Sequence, residues 1–532
     1  MPILDWLNKR QALQAAAAVP YRLIEVDAVH GDPAADNWLI QGDNLDALKA
    51  LLPFHAGRVK CIYIDPPYNT RSAFEHYDDN LEHSQWLSMM APRLELLREL
   101  LAEDGSIWVQ LDDNEAHYAR VLMDETFGRA NFVADITWQK SYAVRSNAEF
   151  VSTSTEHILW YAKSRKNFAP NRLARSDQQT ARFSNPDNDP RGAWQSITFT
   201  ISLVSGARGR QFAKTGTSPN LFEVVSPAGV RFMPPAGRCW ARTEDGFRAL
   251  DQDGRIWWGP NGDRVPRLKM FLAETEGGVI PTTLWSSGDE YGFNQDGVRE
   301  LRLLGFEFPT PKPEKLICAV LKIATNPGDL VLDSFLGSGT TAAVAHKMGR
   351  RYIGIEMGEH ARTHCLPRLQ KVIAGEQGGI SNAVDWHGGG GVRFARLGAP
   401  VFLPDGQVDP QIGFATLAAW IWYQETRTPW RPQAADTQAT SPLLGVHDGR
   451  AYFLLFNGVL GDRRPQGGNV LTSAVAALLD EAAAGAGVAA GTPRVVFGEA
   501  CRLSEMRRRA LGIDFRQIPY DIRARQEAPA WR

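Results

Sequence analysis

Two short segments of this chain have residue types and spacing that could do chemistry. The first is Asp65-Pro66-Pro67-Tyr68, directly after the apolar run at 59–64 (VKCIYI). Two consecutive prolines fix φ and remove two backbone donors. What remains is an acceptor-only turn, made of the Asp65 carboxylate and a proline carbonyl. Such a turn suits a group with two N–H donors, namely an exocyclic amino group. Tyr68 adds a flat face on which a base can stack. Taken alone, the four residues also fit a rigid loop with a capping aspartate.

The second segment, Asp333-Ser334-Phe335-Leu336-Gly337-Ser338-Gly339-Thr340-Thr341, follows a short apolar run and opens a helical pattern. Its glycines let the backbone approach a ligand, and the helix start offers free N–H groups. Three nucleotide-binding readings compete. A phosphate-cradling loop needs a lysine after the last glycine, and none follows Gly339. A dinucleotide fingerprint would have Ala342 in place of its third glycine, which some such folds tolerate. An S-adenosyl-L-methionine loop of the form D-x-F-x-G-x-G-T-T sets Asp333 beside the ligand's ammonium group. It needs no lysine, because that cofactor carries no phosphate. Glu356 ends the next apolar run, 17 residues beyond Gly339, where an acid can accept both ribose hydroxyls. An exposed strand-end acid is the bland alternative.

Strand ends must carry both segments. Apolar runs at 38–41, 59–64, 106–111, 132–138 and 157–161 alternate with helical patterns, the strongest at 84–102. After a gap of about 160 residues the pattern resumes at 330–332 and 351–355. Alternation of this kind predicts an α/β fold with one seven-stranded, doubly wound, Rossmann-like sheet interrupted by an insertion. The expected organisation is an N-terminal helical segment (1–37), a catalytic half (38–162), an insertion (163–305), a cofactor half (306–375), a linker (376–399) with a flexible joint at the glycines 388–391, and a small α/β region (400–532). From 163 to 269 there are 18 Lys and Arg against 9 Asp and Glu in a chain of net charge −2. That balance suits a module facing a polyanion, although a solvated surface insertion has the same composition.

The ordered pair IDPPYNT and DSFLGSGTT resembles the beta-class DNA amino-methyltransferases, in which the catalytic loop precedes the cofactor loop and a target-recognition insert separates them. GDNLDALKALL, TPKPEKLICAVLKIATNPGD and HILWYAKS are also similar to that family, over roughly residues 20–375. DPPYNT is closest to the modification subunits of type III restriction systems.

The resemblance implies extrusion of a base from duplex DNA, since an amino nitrogen cannot be methylated while stacked and paired. Tyr68 would stack on that base, while Asp65 and the Pro66 carbonyl hold its amino protons for direct in-line transfer, with Pro67 completing the rigid turn. No metal and no covalent intermediate are expected. S-adenosyl-L-methionine would contact Asp333, Phe335, Gly337, Ser338, Gly339, Thr340 and Thr341, with Glu356 on the ribose and Asp43 on the adenine. Asp43 reads equally as the N-cap of the helix after it, and Asp112 and Asp113 read as caps. The segment 311–315 (PKPEK) would wall the cofactor's methionine end, and the polar loop 69–80 could close over DNA, although an ordinary surface loop reads the same.

Asp at position 65 favours N6 of adenine over N4 of cytosine. A recognition subunit guiding a separate nuclease is the alternative from another class. Expected partners are double-stranded DNA, a second copy and a restriction nuclease subunit, the last two through residues 400–532, where Trp420, Trp422 and Tyr423 cluster; such a cluster more often packs a core, and an interface is the alternative. Five scattered cysteines, the absence of a long apolar run and an N-terminus unlike a signal peptide predict a cytoplasmic protein with no membrane span.

Overall fold

The computed structural model describes residues 3–69, 82–143, 150–175, 177–203, 218–275, 278–286, 288–403, 408–409, 412–431, 441–456, 459–460 and 469–518. The part of the expected closing loop from 70 to 80 lies outside them. The chain forms two units, one built from Met1–Asn171 with Thr282–Arg532 and the other from Arg172–Pro281.

The first unit is organised by a ten-stranded sheet: β1 (Arg22–Gly31), β2 (Trp38–Gln41), β3 (Val59–Ile64), β4 (Leu101–Leu111), β5 (Phe132–Gln139), β6 (Thr155–Ala162), β7 (Leu284–Trp285), β8 (Leu330–Asp333), β9 (Arg351–Glu356) and β10 (Gly391–Pro400). Across the sheet the order is β1-β10-β2-β9-β8-β3-β4-β6-β5-β7. All seven strands read from the sequence are present. The strands from β10 to β4 are parallel, and β6 runs antiparallel between β4 and β5.

Near-continuous apolar runs form the central strands because helices cover both faces. Helix α2 (Asn44–His55) starts where Asp43 accepts the Leu45 N–H at 2.8 Å, and it buries Ala47, Leu48, Leu51 and Leu52. Helix α3 (His83–Leu100) packs Trp86, Met90 and Leu97 into the same core as Ile62 and Leu332. Val331 and Leu332 pair with Cys61 and Ile62, so the ends of β3 and β8 lie side by side. From β3 the chain crosses to β4 on one side, and from β8 it crosses to β9 on the other. Diverging crossovers leave a crevice at the carboxyl ends of these two strands. Asp65 and Asp333 stand on its two lips.

Several expected boundaries need correction. Residues 1–37 hold helix α1 (Lys9–Ala18) but also β1, an edge strand antiparallel to β10. Residues 376–399 are not a linker, and 388–391 is not a joint: Gly391 opens β10, which also pairs in parallel with β2. A Cβ on Gly388 would lie 3.0 Å from the Gly375 Cα, and one on Gly390 would lie 2.7 Å from the His346 Nε2. These glycines permit close backbone approach, and slack linkers have the same composition.

The inserted unit is also narrower than 163–305. Asn171 is tied to the carbonyls of Lys322 and Thr325, while 282–305 returns to the first unit as β7 and the helix Asn294–Leu303. Between Arg172 and Pro281 the balance is 15 Lys and Arg against 11 Asp and Glu. Some of these cations are internally paired: Arg191 with Asp189 and Asp253, Arg255 with Asp253 and Glu274, and Lys269 with Asp187 and Asp189. This unit packs Phe199, Trp240, Phe247, Ile256 and Trp258 into its own core.

The C-terminal region forms a four-stranded sheet (Leu443–His447, Arg450–Leu454, Arg494–Gly498, Ile513–Gln517) with the helix Ser473–Gly485. It is not a free-standing region. Trp420 and Trp422, on the helix Phe414–Thr426, are 1% and 8% exposed in a core that includes Tyr21 and Ala50, and the Tyr423 hydroxyl bonds Glu99. The aromatic cluster therefore packs a core, the first of the two roles its composition allows, and does not form an interface. No helix among the described residues is long and apolar enough to cross a membrane.

Candidate active site

Asp65 leaves β3 into the crevice with both carboxylate oxygens engaged. Oδ1 accepts the Tyr68 hydroxyl at 2.6 Å, and Oδ2 accepts Lys312 Nζ at 2.5 Å. Burial pushes the Asp65 carboxyl above its ordinary value, the Lys312 ammonium pulls it back, and Glu156 pushes it up again. Trp86 Nε1 donates to the Pro67 carbonyl at 2.7 Å, which leaves Pro66 to offer the second acceptor of the turn. The turn ends at Asn69, held at φ 60°. Its amide donates to buried Glu115 at 2.6 Å, and the His83 Nδ1 meets the same oxygen at 2.7 Å.

Behind the turn lies a polar cluster that sequence reasoning missed. Glu156, near the start of β6, is 3% exposed. Its Oε2 is met by the Tyr68 hydroxyl at 2.9 Å and accepts Gln110 Nε2 at 2.6 Å, and its Oε1 pairs with Lys140 at 3.3 Å. Gln110 in turn accepts the Tyr63 hydroxyl at 2.5 Å. Lys312 comes from the PKPEK segment, which the sequence presents only as a wall. Its Nζ lies 5.1 Å from the centroid of the Tyr68 ring.

On the other lip, Asp333 is buried among neutral donors, the Phe335 N–H at 2.9 Å and the Thr341 side chain, and burial raises its carboxyl to about 7. Next to it the Ser334 Oγ is buried without a hydrogen-bond partner among the described residues, while the Ser334 carbonyl accepts the Asn44 amide at 2.7 Å. Glu356 Oε2 accepts the Gly337 N–H at 2.8 Å, and its Oε1 accepts the Gly358 N–H at 3.3 Å. Gly339 starts the helix Thr340–Lys347 at φ +82°, and a Cβ there would lie 3.3 Å from the Cys365 Cα.

Ser338, Thr340 and Thr341, expected at the cofactor, turn their hydroxyls inward. Arg368 donates to the Thr340 Oγ1 at 2.9 Å and to the Ser338 carbonyl at 3.3 Å; Ser338 and Thr340 bond each other; Thr341 bonds Asp333. They shape the loop from beneath, and at the helix start their backbone N–H groups are what remains for a ligand. Asp43 caps α2 and pairs with Arg93 at 3.3 Å, but its side chain stays 44% exposed. Asp112 accepts the Asn114 N–H and Asp113 pairs with His157, so neither side chain is the helix cap expected of it; the N-cap residue of the helix Ala116–Met123 is Glu115.

The residues present fit S-adenosylmethionine. A buried carboxyl among neutral donors calls for a cation, an orphaned serine hydroxyl needs a polar partner, and Glu356 can accept hydroxyls. A titration follows from this. Binding a cation at Asp333 requires the ionised form, so affinity should be full above about pH 7 and weaken by up to about tenfold per pH unit below it. Calorimetry at pH 6, 7 and 8, in buffers of different ionisation heat, should record proton release on binding at pH 6. A flat profile with no proton release would remove Asp333 from the cation's side.

A family model described as DNA methylase matches residues 59–365. The chain is 31% identical over 421 residues to the "Probable type III restriction-modification enzyme HindVI Mod subunit" of Haemophilus influenzae, covering 69% of this chain and 54% of that protein. It is 31% identical over 375 residues to the type III restriction-modification enzyme StyLTI Mod subunit of Salmonella typhimurium, covering 64% and 55% respectively. It is 30% identical over 340 residues to the type II methyltransferase M.EcaI of Enterobacter cloacae, covering 63% and 69%. The chain spans about half the length of the two Mod subunits.

Proposed function

The chain belongs to the DNA methylase family, and from that premise we propose that it transfers a methyl group from S-adenosylmethionine to N6 of adenine in duplex DNA. The observation that carries this reading is the pairing of β3 with β8, which sets the Asp65 turn beside the Asp333 loop at one crevice. When bound, the cofactor would supply an electrophilic methyl group on its sulfonium. Asp65 and the Pro66 carbonyl accept the two amino hydrogens of an extruded base. This draws the nitrogen lone pair out of conjugation and aims it across the crevice. The Tyr68 ring gives the base its stacking surface, and catalysis is mainly positioning and electrostatic stabilisation. Asp333, the loop amides and Glu356 hold the cofactor, with Asp43 on its adenine.

Adenine is favoured over cytosine N4 by Asp65 itself and by the likeness to Mod subunits. That likeness also supports a restriction–modification role with a nuclease subunit as partner. Long-read sequencing of DNA from cells expressing the chain tests the reading directly, since it identifies each modified base and its context. N4-methylcytosine in place of N6-methyladenine would overturn the base assignment, and unmodified DNA from folded, cofactor-loaded protein would overturn the activity.

We further propose Arg172–Pro281 as the target-recognition module. Exchanging this unit for that of a relative should change the methylated sequence. An unchanged site in a folded chimera would refute the assignment.

A further inference from the structure

Lys312 stands where the substrate must go. Its ammonium occupies the Asp65 oxygen that Tyr68 leaves open, and it lies over the Tyr68 ring. An amino group entering the turn needs that oxygen, and a base laid on that ring would meet the ammonium. A neutral amino donor does not displace a charge-assisted bond unless the cation has somewhere else to go. Such a place exists beside the same ammonium, where the Glu156 Oε2 lies 3.9 Å from Lys312 Nζ. That is about 1 Å beyond hydrogen-bonding distance. The single hydroxyl hydrogen of Tyr68 is contested by Asp65 at 2.6 Å and Glu156 at 2.9 Å. With Asp65 holding it, the Glu156 oxygen retains the Gln110 amide as donor and has room for another.

Resting on the methyltransferase reading above, we propose that Lys312 is a gate with two seats. On Asp65 it keeps the acceptor turn charged and closed, and on Glu156 it leaves the turn open to the target amino group. Glu156 is thus a positioning residue that acts through Lys312. The division of labour is physical. A buried carboxylate with no cation takes up a proton and stops accepting hydrogen bonds, so Asp65 needs Lys312 until the base arrives. The base then needs Lys312 gone. The other groups around the pair are Asp333, the phenols of Tyr63 and Tyr68, and Lys140 on the far oxygen of Glu156.

A double-mutant cycle on the full chain tests this, with radiolabelled methyl transfer to unmethylated plasmid DNA followed from pH 6 to pH 9.5 and S-adenosylmethionine affinity measured by calorimetry. Glu156→Gln should leave cofactor affinity within about twofold. It should lower transfer by on the order of tenfold to a hundredfold at every pH, because Lys312 stays on Asp65. Lys312→Ala should be slow at pH 7 and recover as pH rises, because Asp65 without its ammonium titrates higher. In the Lys312→Ala background, Glu156→Gln should cost less than about threefold, since a seat has no function without its occupant. Equal losses from Glu156→Gln in both backgrounds, or a fully active single variant, would overturn the gate. A wild-type chain that binds cofactor yet transfers nothing would overturn the underlying reading as well.

Discussion

Asp65→Ala should reduce methyl transfer by on the order of 10³-fold or more, while affinity for S-adenosylmethionine changes by less than about twofold. The two effects separate because Asp65 and Asp333 sit on different lips of the crevice. Asp65 bonds Tyr68 and Lys312, and the cofactor loop is held by Arg368, Glu356 and Asn44. Removing the carboxylate takes away the only charged acceptor in a turn otherwise limited to proline carbonyls. Folding should survive, since Glu156 lies within reach of the stranded Lys312 ammonium. Single-turnover transfer and calorimetric binding on the same preparation decide the matter. A tenth of the wild-type rate would place the amino group elsewhere, and a lost cofactor site would mean that the two lips are one.

Glu314→Ala should have the largest effect on stability. Glu314 is buried at the start of the helix Glu314–Ala324 and accepts Lys347 Nζ at 2.7 Å, Arg368 Nη2 at 2.9 Å and the Ile380 N–H at 3.0 Å. Its two cationic partners are also buried. Burial pushes the Glu314 carboxyl up, but Arg368 and Lys347 outweigh this and hold it below its ordinary value. Deleting Glu314 leaves Lys347 paired with Glu376 but strands buried Arg368 on the neutral acceptors Ser338 and Thr340, a loss that costs about 3–5 kcal/mol. Arg368 also bonds the loop at Ser338 and Thr340, so cofactor affinity should fall together with stability. The pH dependence has a definite sign. A depressed carboxyl contributes fully above about pH 4.5 and loses that contribution as pH falls through its lowered value. Urea midpoints of wild type and variant at pH 7 and pH 4 measure both effects. A difference under about 1 kcal/mol at pH 7 would show that the cluster relaxes around the loss.

The two lips were legible in the sequence because each is an apolar run ending abruptly in an acid, with prolines or glycines fixing the backbone just beyond it. Lys312 and Glu156 were not legible as site residues. Lys312 sits in a proline-flanked polar segment with no periodicity to aim it. Glu156 reads as a charged residue at the start of a strand, where solvent is the default. Its burial depends on Gln110 and Lys140, which lie far from it in sequence. A signal existed in the charge at position 156 directly before HILWYA, a strand otherwise read as core.

β1 was missed because it is an edge strand whose residues alternate with charges and stay partly exposed. β10 was missed because it opens on glycines, which read as slack. The insertion reads too wide in the sequence because the basic residues at 163–166 continue the charge pattern of the inserted unit, although residues up to Asn171 follow β6 as part of the first unit.

The seating of β2 between β9 and β10 also bears on how the protein is made. β2 ends at Gln41 and β10 begins at Gly391. At about 5–20 residues per second, the ribosome needs roughly 20–70 s to cover that interval. Throughout it, Leu39 and Ile40, fully buried in the finished protein, lack at least one neighbouring strand to pair with. The nascent chain therefore carries an unpaired, apolar sheet edge throughout that interval, the kind of surface that templates aggregation. Slower elongation lengthens that exposure, and a message truncated before the codon for Gly391 makes it permanent.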